Sequence, residues 1–95
     1  MCYNHLLDFE WDENKRLANI EKHGIDFEDA IGIWEGDVVE VPSRGQYGEN
    51  RLVAFGVVEG RIIAVVYTSR GGARRIISAR RTRRSEREHY EAALG

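Results

Sequence analysis

Seven arginines and no lysine fall within the seventeen residues from Arg74 to Tyr90. An arginine side chain stays charged through the physiological range. It presents five N–H donors in a planar fork that matches a pair of phosphate oxygens. A surface that gathers several guanidinium groups therefore suits a phosphate-bearing polymer. The competing reading is a solvated charged helix that anchors the end of the chain, and charge alone does not separate the two. Groups able to move protons lie in or near the same stretch: Glu86, His89 and Tyr90 within it, and His23 upstream. No nucleophile triad, glycine-rich phosphate loop or metal-ligand cluster points to another class of enzyme.

The elements that position these side chains follow from local pattern. Arg74–Ala79 reads as a strand, with an apolar Ile-Ile centre between small neighbours. Residues 82–90 read as a helix, with Thr82 or Ser85 as its N-cap and Glu86 and Glu88 in its early turns. Alternation along the strand sets Arg74, Ile76, Ser78 and Arg80 on one face, and Arg75, Ile77, Ala79 and Arg81 on the other. The first face is the more polar and is the expected groove.

Upstream, residues 1–8 look weakly ordered, and Phe9-Glu10-Trp11 forms a short extended lead-in. Asp12 caps a first helix over 13–23 with a thin apolar stripe of Leu17, Ala18 and Ile20. Gly24 stops it in the left-handed conformation. Asp26 caps a second helix whose face is Phe27, Ala30, Ile31 and Trp34, and Gly36 ends it. Val38–Pro42 is a short strand with proline at its end or at an edge. Ser43–Asn50 is a polar loop. Residues 51–58 and 61–68 are apolar strands joined by the two-residue turn Glu59-Gly60, and Gly71-Gly72 turns into the Arg74 strand. The expected fold is α+β: two N-terminal helices, a four-stranded antiparallel sheet and a C-terminal helix.

The chain has 95 residues, which suits a single domain spanning 1–95. Its net charge of −2 conceals an asymmetry. Residues 1–43 carry three basic and eleven acidic side chains, for −8, while residues 44–95 carry eleven arginines and five acidic residues, for +6. The second half is basic enough to attract nucleic acid. One cysteine, Cys2, rules out an internal disulfide and suits a reducing compartment. With no long apolar run and no signal-peptide pattern, a cytoplasmic protein with no membrane contact is expected.

Several blocks in order carry a resemblance. They are Phe9-Glu10-Trp11-Asp12; Lys22-His23-Gly24-Ile25 with Phe27-Glu28 and Ala30; Arg51 with Gly56; and Ile76-Ile77-Ser78-Ala79-Arg80 with Glu86 and Tyr90. Over roughly residues 9–91 the chain resembles the BrnT family of type II toxins. One departure is visible: the family places Ala-Thr after the Ser-Ala-Arg-Arg segment, whereas here Thr82 comes one position early and Arg83 follows. The resemblance implies a RelE-like fold and a toxin that inhibits translation by cutting RNA without a cofactor. It also implies a BrnA-like antitoxin whose ribbon-helix-helix domain binds DNA, so that the complex binds its own promoter.

Metal-independent RNA cleavage needs the 2′-hydroxyl deprotonated, the pentacoordinate phosphate's charge stabilised and the departing 5′-oxygen protonated. Arginine fills only the middle role, for which Arg80, Arg51 and Arg75 are the candidates. Glu86 could orient Arg80 or accept a proton, unless it merely favours the helix dipole. Histidine changes charge near neutral pH, which makes His23 a candidate, although a helix C-terminus also favours a histidine structurally. Arg75, Lys22, Arg83, Arg84 and Tyr90 complete the expected RNA-binding set. Structural alternatives stand beside several of these: an ion pair for Arg75, solvation for Lys22 and sheet packing for Tyr90. Trp11 and Trp34 fit the core or the antitoxin interface better than base stacking. A non-catalytic nucleic-acid-binding module and an arginine-faced interaction protein remain the competing functions.

Overall fold

A computed structural model of the chain describes residues 8–44 and 50–94. The elements in order are β1 (Asp8–Trp11), α1 (Glu13–His23), α2 (Phe27–Ala30), a 3-10 helix (Ile31–Glu35), β2 (Val39–Arg44), β3 (Asn50–Val58), β4 (Arg61–Arg70), β5 (Ala73–Arg81) and α3 (Arg84–Leu94). The expected weak order of residues 1–7 and the centre of the Ser43–Asn50 loop lie outside the described residues.

Local chemistry starts and stops the helices as the sequence requires. The Asp12 carboxylate accepts from the Asn14 N–H at 2.8 Å and opens α1. Asp26 does the same for α2 through the Glu28 N–H at 2.9 Å. Gly24 ends α1 at φ 71°, and its N–H donates to the Ile20 carbonyl at 2.8 Å. After one turn α2 tightens into the 3-10 helix. Its period of three brings Phe27, Ala30 and Ile33 to the buried side. Ile33 thus replaces Ile31 and Trp34, which are only partly buried. The site of this packing is Gly56 on β3: a Cβ there would lie 2.5 Å from the Ile33 Cβ.

The sheet has five strands in the order β1-β5-β4-β3-β2, which corrects the expected four-stranded antiparallel sheet. The Phe9–Trp11 lead-in is β1, and it pairs parallel with β5, Phe9 opposite Arg74 and Trp11 opposite Ile76. A four-residue strand has too little pattern of its own to announce a partner more than sixty residues away. The other pairings are antiparallel. Pro42 sits in the edge strand β2, where its missing N–H is tolerated.

Beyond Ile76, β5 loses its parallel neighbour, and Asn19 of α1 takes over. Its amide donates to the Ala79 carbonyl at 2.8 Å and accepts from the Ala79 N–H at 3.2 Å, replacing a strand with one side chain. The expected α1 stripe does not pack in this way: Leu17 is 52% exposed and Asn19 is 7% exposed.

Each face of the sheet carries its own core. On one, Phe27, Ala30 and Ile33 pack against Ala54, Ile63, Val65, Tyr67, Ile76 and Ala79. On the other, Tyr90 of α3 packs against Val53, Phe55 and Ala64. Neither Thr82 nor Ser85 caps α3. Thr82 is buried and its hydroxyl donates to the Ile62 carbonyl at 2.9 Å. Instead Glu86 reaches back to the Arg83 N–H at 2.8 Å, the carboxylate half of a capping box. No helix among the described residues is long and apolar enough to cross a membrane.

Candidate active site

The arginine face is set by a β-bulge. Tyr67 stands opposite Ile76, but Val66 stands opposite Ser78, so Ile77 is one residue too many. The slip reverses the alternation expected through β5. Arg75 pairs with Thr68, and Arg80 pairs with Ala64. Thr68, Val66 and Ala64 alternate along β4 and so share a face. Arg75 and Arg80 therefore stand on the same face, where strict alternation had separated them. Arg51, also opposite Thr68, joins them. Glu10, Arg75, Thr68, Arg51 and Ser43 form one row across all five strands. Arg80 lies four residues along β4 from this row, roughly 13 Å by strand rise.

Arg74 moves the other way, off the expected groove face. Its guanidinium stacks on the rings of Trp34 and Tyr67, 5.1 and 5.6 Å from their centroids. Glu40 lies 3.7 Å from it and also accepts from the Tyr67 hydroxyl. Burial and the Glu40 carboxylate push the Tyr67 hydroxyl up to about 12. Trp34 meets Tyr67 edge-on, and Trp11 meets Phe27 likewise, so both tryptophans serve packing.

Arg80 and Glu86 are the best-defined pair on the arginine face. Nη1 of Arg80 donates to Oε1 of Glu86 at 2.9 Å and Nη2 to Oε2 at 2.8 Å, a fork-to-fork contact. Nη1 also reaches the Arg81 carbonyl at 3.2 Å. Of the five guanidinium donors, Nε–H and one Nη2–H have no partner among the described residues and can meet a substrate phosphate. The Arg80 guanidinium, helped by the Arg83 N–H, holds the Glu86 carboxyl down at about 2. So ionised and so engaged, Glu86 is a weak base; its geometry is that of an orienting group. Arg80 is correspondingly held above the ordinary arginine range by the Glu86 contact.

The remaining expected site residues divide. Arg75 donates to Glu10 at 3.0 Å, the ion pair that was its structural alternative, and still borders the open row. Glu10 itself had no marking in the sequence, since its role comes only from the β1–β5 pairing. Lys22 and His23 occupy the last turn of α1. Among the described residues no hydrogen bond or ion pair joins either to Arg80 or Glu86. Arg83 and Arg84 are exposed at the start of α3, where Arg84 reaches Glu88 at 3.2 Å. Tyr90 takes its packing alternative: it is 4% exposed and its hydroxyl donates to the Asp37 carbonyl at 2.9 Å. Among the described residues no three His, Cys, Asp or Glu side chains are grouped to hold a metal ion.

A small α+β protein with an arginine-bearing sheet face flanked by a helix is the class that fold and site define. The family model described as "Ribonuclease toxin, BrnT, of type II toxin-antitoxin system" matches residues 11–86. The crystal structure of the Brucella abortus ribonuclease toxin BrnT is similar, with 34% identity and a TM-score of 0.67 over 82% of this chain and 99% of that one. The chain belongs to the BrnT family of ribonuclease toxins. No curated protein matches it.

Proposed function

We propose that the chain is a cytoplasmic, metal-independent endoribonuclease of RelE-like type that halts translation by cutting RNA. In this reading the Glu86-locked guanidinium of Arg80 stabilises the pentacoordinate phosphate, while Arg51 and Arg75 hold the strand along the row across the sheet. The two free donors of Arg80 are fixed before substrate arrives, so little reorganisation is needed as charge develops. A BrnA-like antitoxin with a ribbon-helix-helix domain neutralises the toxin and carries the complex to promoter DNA. In this reading Glu86 orients Arg80 and leaves proton transfer to other groups. His23 stands apart from Arg80 in every described contact.

The observation that carries this reading is the Arg80–Glu86 fork on the same face as Arg51 and Arg75, in a chain of this family. Its test compares chemistry with binding in EDTA-containing buffer. Arg80→Ala is expected to lower single-turnover cleavage by about 10²–10³, as removal of one transition-state donor does. Affinity for a 2′-deoxy-substituted RNA should stay within a few-fold. Arg80→Lys should rescue poorly, because the fork is gone. Equal losses in rate and affinity would make Arg80 a docking residue and the chain a binding module.

A further inference from the structure

Ion pairing divides the arginines into two sets. Arg16, Arg74, Arg75, Arg80 and Arg84 each have a carboxylate within 3.7 Å. Arg61, Arg81, Arg83 and Arg87 have none among the described residues. Three of this second set, Arg61, Arg81 and Arg87, line one pocket of about 270 Å³ with Gly60, Ile62 and Thr82. All three side chains are exposed, and none fills a core. Like charges gathered at one exposed place set up a positive local potential that attracts an anion, most strongly at low salt.

The pocket offers donors more than acceptors. The Thr82 hydroxyl is already directed to the Ile62 carbonyl, and the Thr82 carbonyl accepts from Arg87 Nη1 at 2.7 Å. That bond fixes the Arg87 guanidinium while leaving its other N–H groups for a ligand. Asp26, Asp29 and Glu59 line an adjoining cleft with Arg61 and Arg81, yet among the described residues none forms an ion pair with them, and Asp26 is engaged by Arg16 at 2.8 Å. The pocket lies at the end of the sheet: Ile62 and Thr82 are two residues from Ala64 and Arg80 along their strands, whereas Arg61 and Arg81, the latter opposite Ile63, stand on the other face. Arg80 donates to the carbonyl of Arg81, and Arg87 follows Glu86 on α3, about 100° round the helix.

We propose that Arg61, Arg81 and Arg87 form a phosphate-binding subsite that grips the RNA backbone beside the scissile position. The inference rests on the ribonuclease reading above. In this proposal an RNA strand whose reacting phosphate lies at Arg80 carries a neighbouring phosphate past the first turn of α3 and over the end of the sheet, where Arg87 meets it from one face and Arg61 and Arg81 from the other. A planar carboxylate satisfies one guanidinium fork, whereas a phosphate presents oxygens in several directions and accepts from three guanidinia together. That geometry favours a nucleic-acid backbone over an acidic protein side chain.

The test uses the full-length chain, a fluorescent 2′-O-methyl RNA that cannot be cut, and the matching cleavable RNA. Arg61→Gln/Arg87→Gln is expected to bind the uncut RNA about tenfold more weakly at low salt. The slope of log affinity against log salt should shrink by about 0.7 for each phosphate that the variant no longer neutralises. The cleavage defect should appear in KM rather than in kcat, unlike that of Arg80→Ala. Arg61→Lys/Arg87→Lys should restore the slope but only part of the affinity, because charge returns without the fork. If the Gln double variant melts early, Arg81→Gln replaces it in the same assay. Unchanged affinity and slope in the variants, beside a wild type that binds and cuts, overturn the subsite and leave the ribonuclease reading intact. Variants that bind RNA normally but lose affinity for the co-expressed antitoxin overturn it in favour of an acidic protein ligand. A wild type that neither binds nor cuts RNA overturns the ribonuclease reading itself.

Discussion

Glu86 serves two structures at once. Its carboxylate holds the Arg80 fork and closes the first turn of α3 on the Arg83 N–H. Its pKa is depressed from an ordinary 4.5 to about 2 in the folded chain. A depressed carboxyl contributes stability that is present above the unfolded pKa and is lost as pH falls through the folded one. Urea midpoints of wild type and Glu86→Gln should therefore converge as pH drops from about 4.5 toward 2, the wild type holding its advantage at neutral pH. A constant gap across that window would show that the ion pair adds nothing to folding. In cleavage assays Glu86→Gln should slow the reaction by loosening Arg80. The acidic limb of the pH–rate profile should not move, because a group titrating near 2 is not the base. The residue types were legible in the sequence; which of Glu86's two roles it plays was not, since that depends on where Arg80 points.

At the scale of elements, β5 is held on one side by β4 throughout and on the other by two different devices. Parallel β1 pairs with residues 73–76, and the Asn19 amide then serves Ala79. Asn19→Ala would leave a buried N–H and a buried carbonyl unpaired, at about 1–3 kcal/mol each. Chemical denaturation should show a loss of roughly 2–6 kcal/mol, with the m-value unchanged. Because Arg80 follows Ala79 directly, hydrogen exchange should also quicken at the end of β5. A loss under about 0.5 kcal/mol, the range of an ordinary surface change, would mean that water replaces the amide without cost. Helix caps at Asp12 and Asp26, the Gly24 stop and the Glu59-Gly60 turn were all readable, because each depends on residues within four positions of one another. Asn19 carried no such mark: in a helix of charged and polar residues nothing distinguishes the one amide that turns inward.

Over the whole molecule, the basic half of the chain supplies the arginines of this face and the acidic half supplies the helical layer behind it; from the acidic half β2 also brings Ser43 to the arginine row, and the one charged addition described there is Glu10. That residue is brought to the arginine row by β1. α3 covers only part of this face, leaving the Arg75–Thr68–Arg51 row beyond the Tyr90 cluster. An acidic or helix-bearing antitoxin covering that row would silence the toxin. The chain co-expressed with the neighbouring open reading frame should purify as one complex, and its association rate should fall steeply with salt. Two separately eluting species at low salt would remove the antitoxin from this account.

What the sequence by itself determined is the α+β class, the caps of α1 and α2, the Gly24 stop, the Glu59-Gly60 turn and the concentration of arginine near the C-terminus. These are properties of short windows, where side-chain period and capping chemistry act over a few residues. The composition of the arginine face was decided only in three dimensions. A single extra residue at Ile77 turned Arg74 inward onto Trp34 and Tyr67, and brought Arg75 round to join Arg80 and Arg51. Strand period is two, so one bulged residue reverses every side chain beyond it. The bulge exists only in the pairing of β5 with β4, and no window of β5 alone contains it.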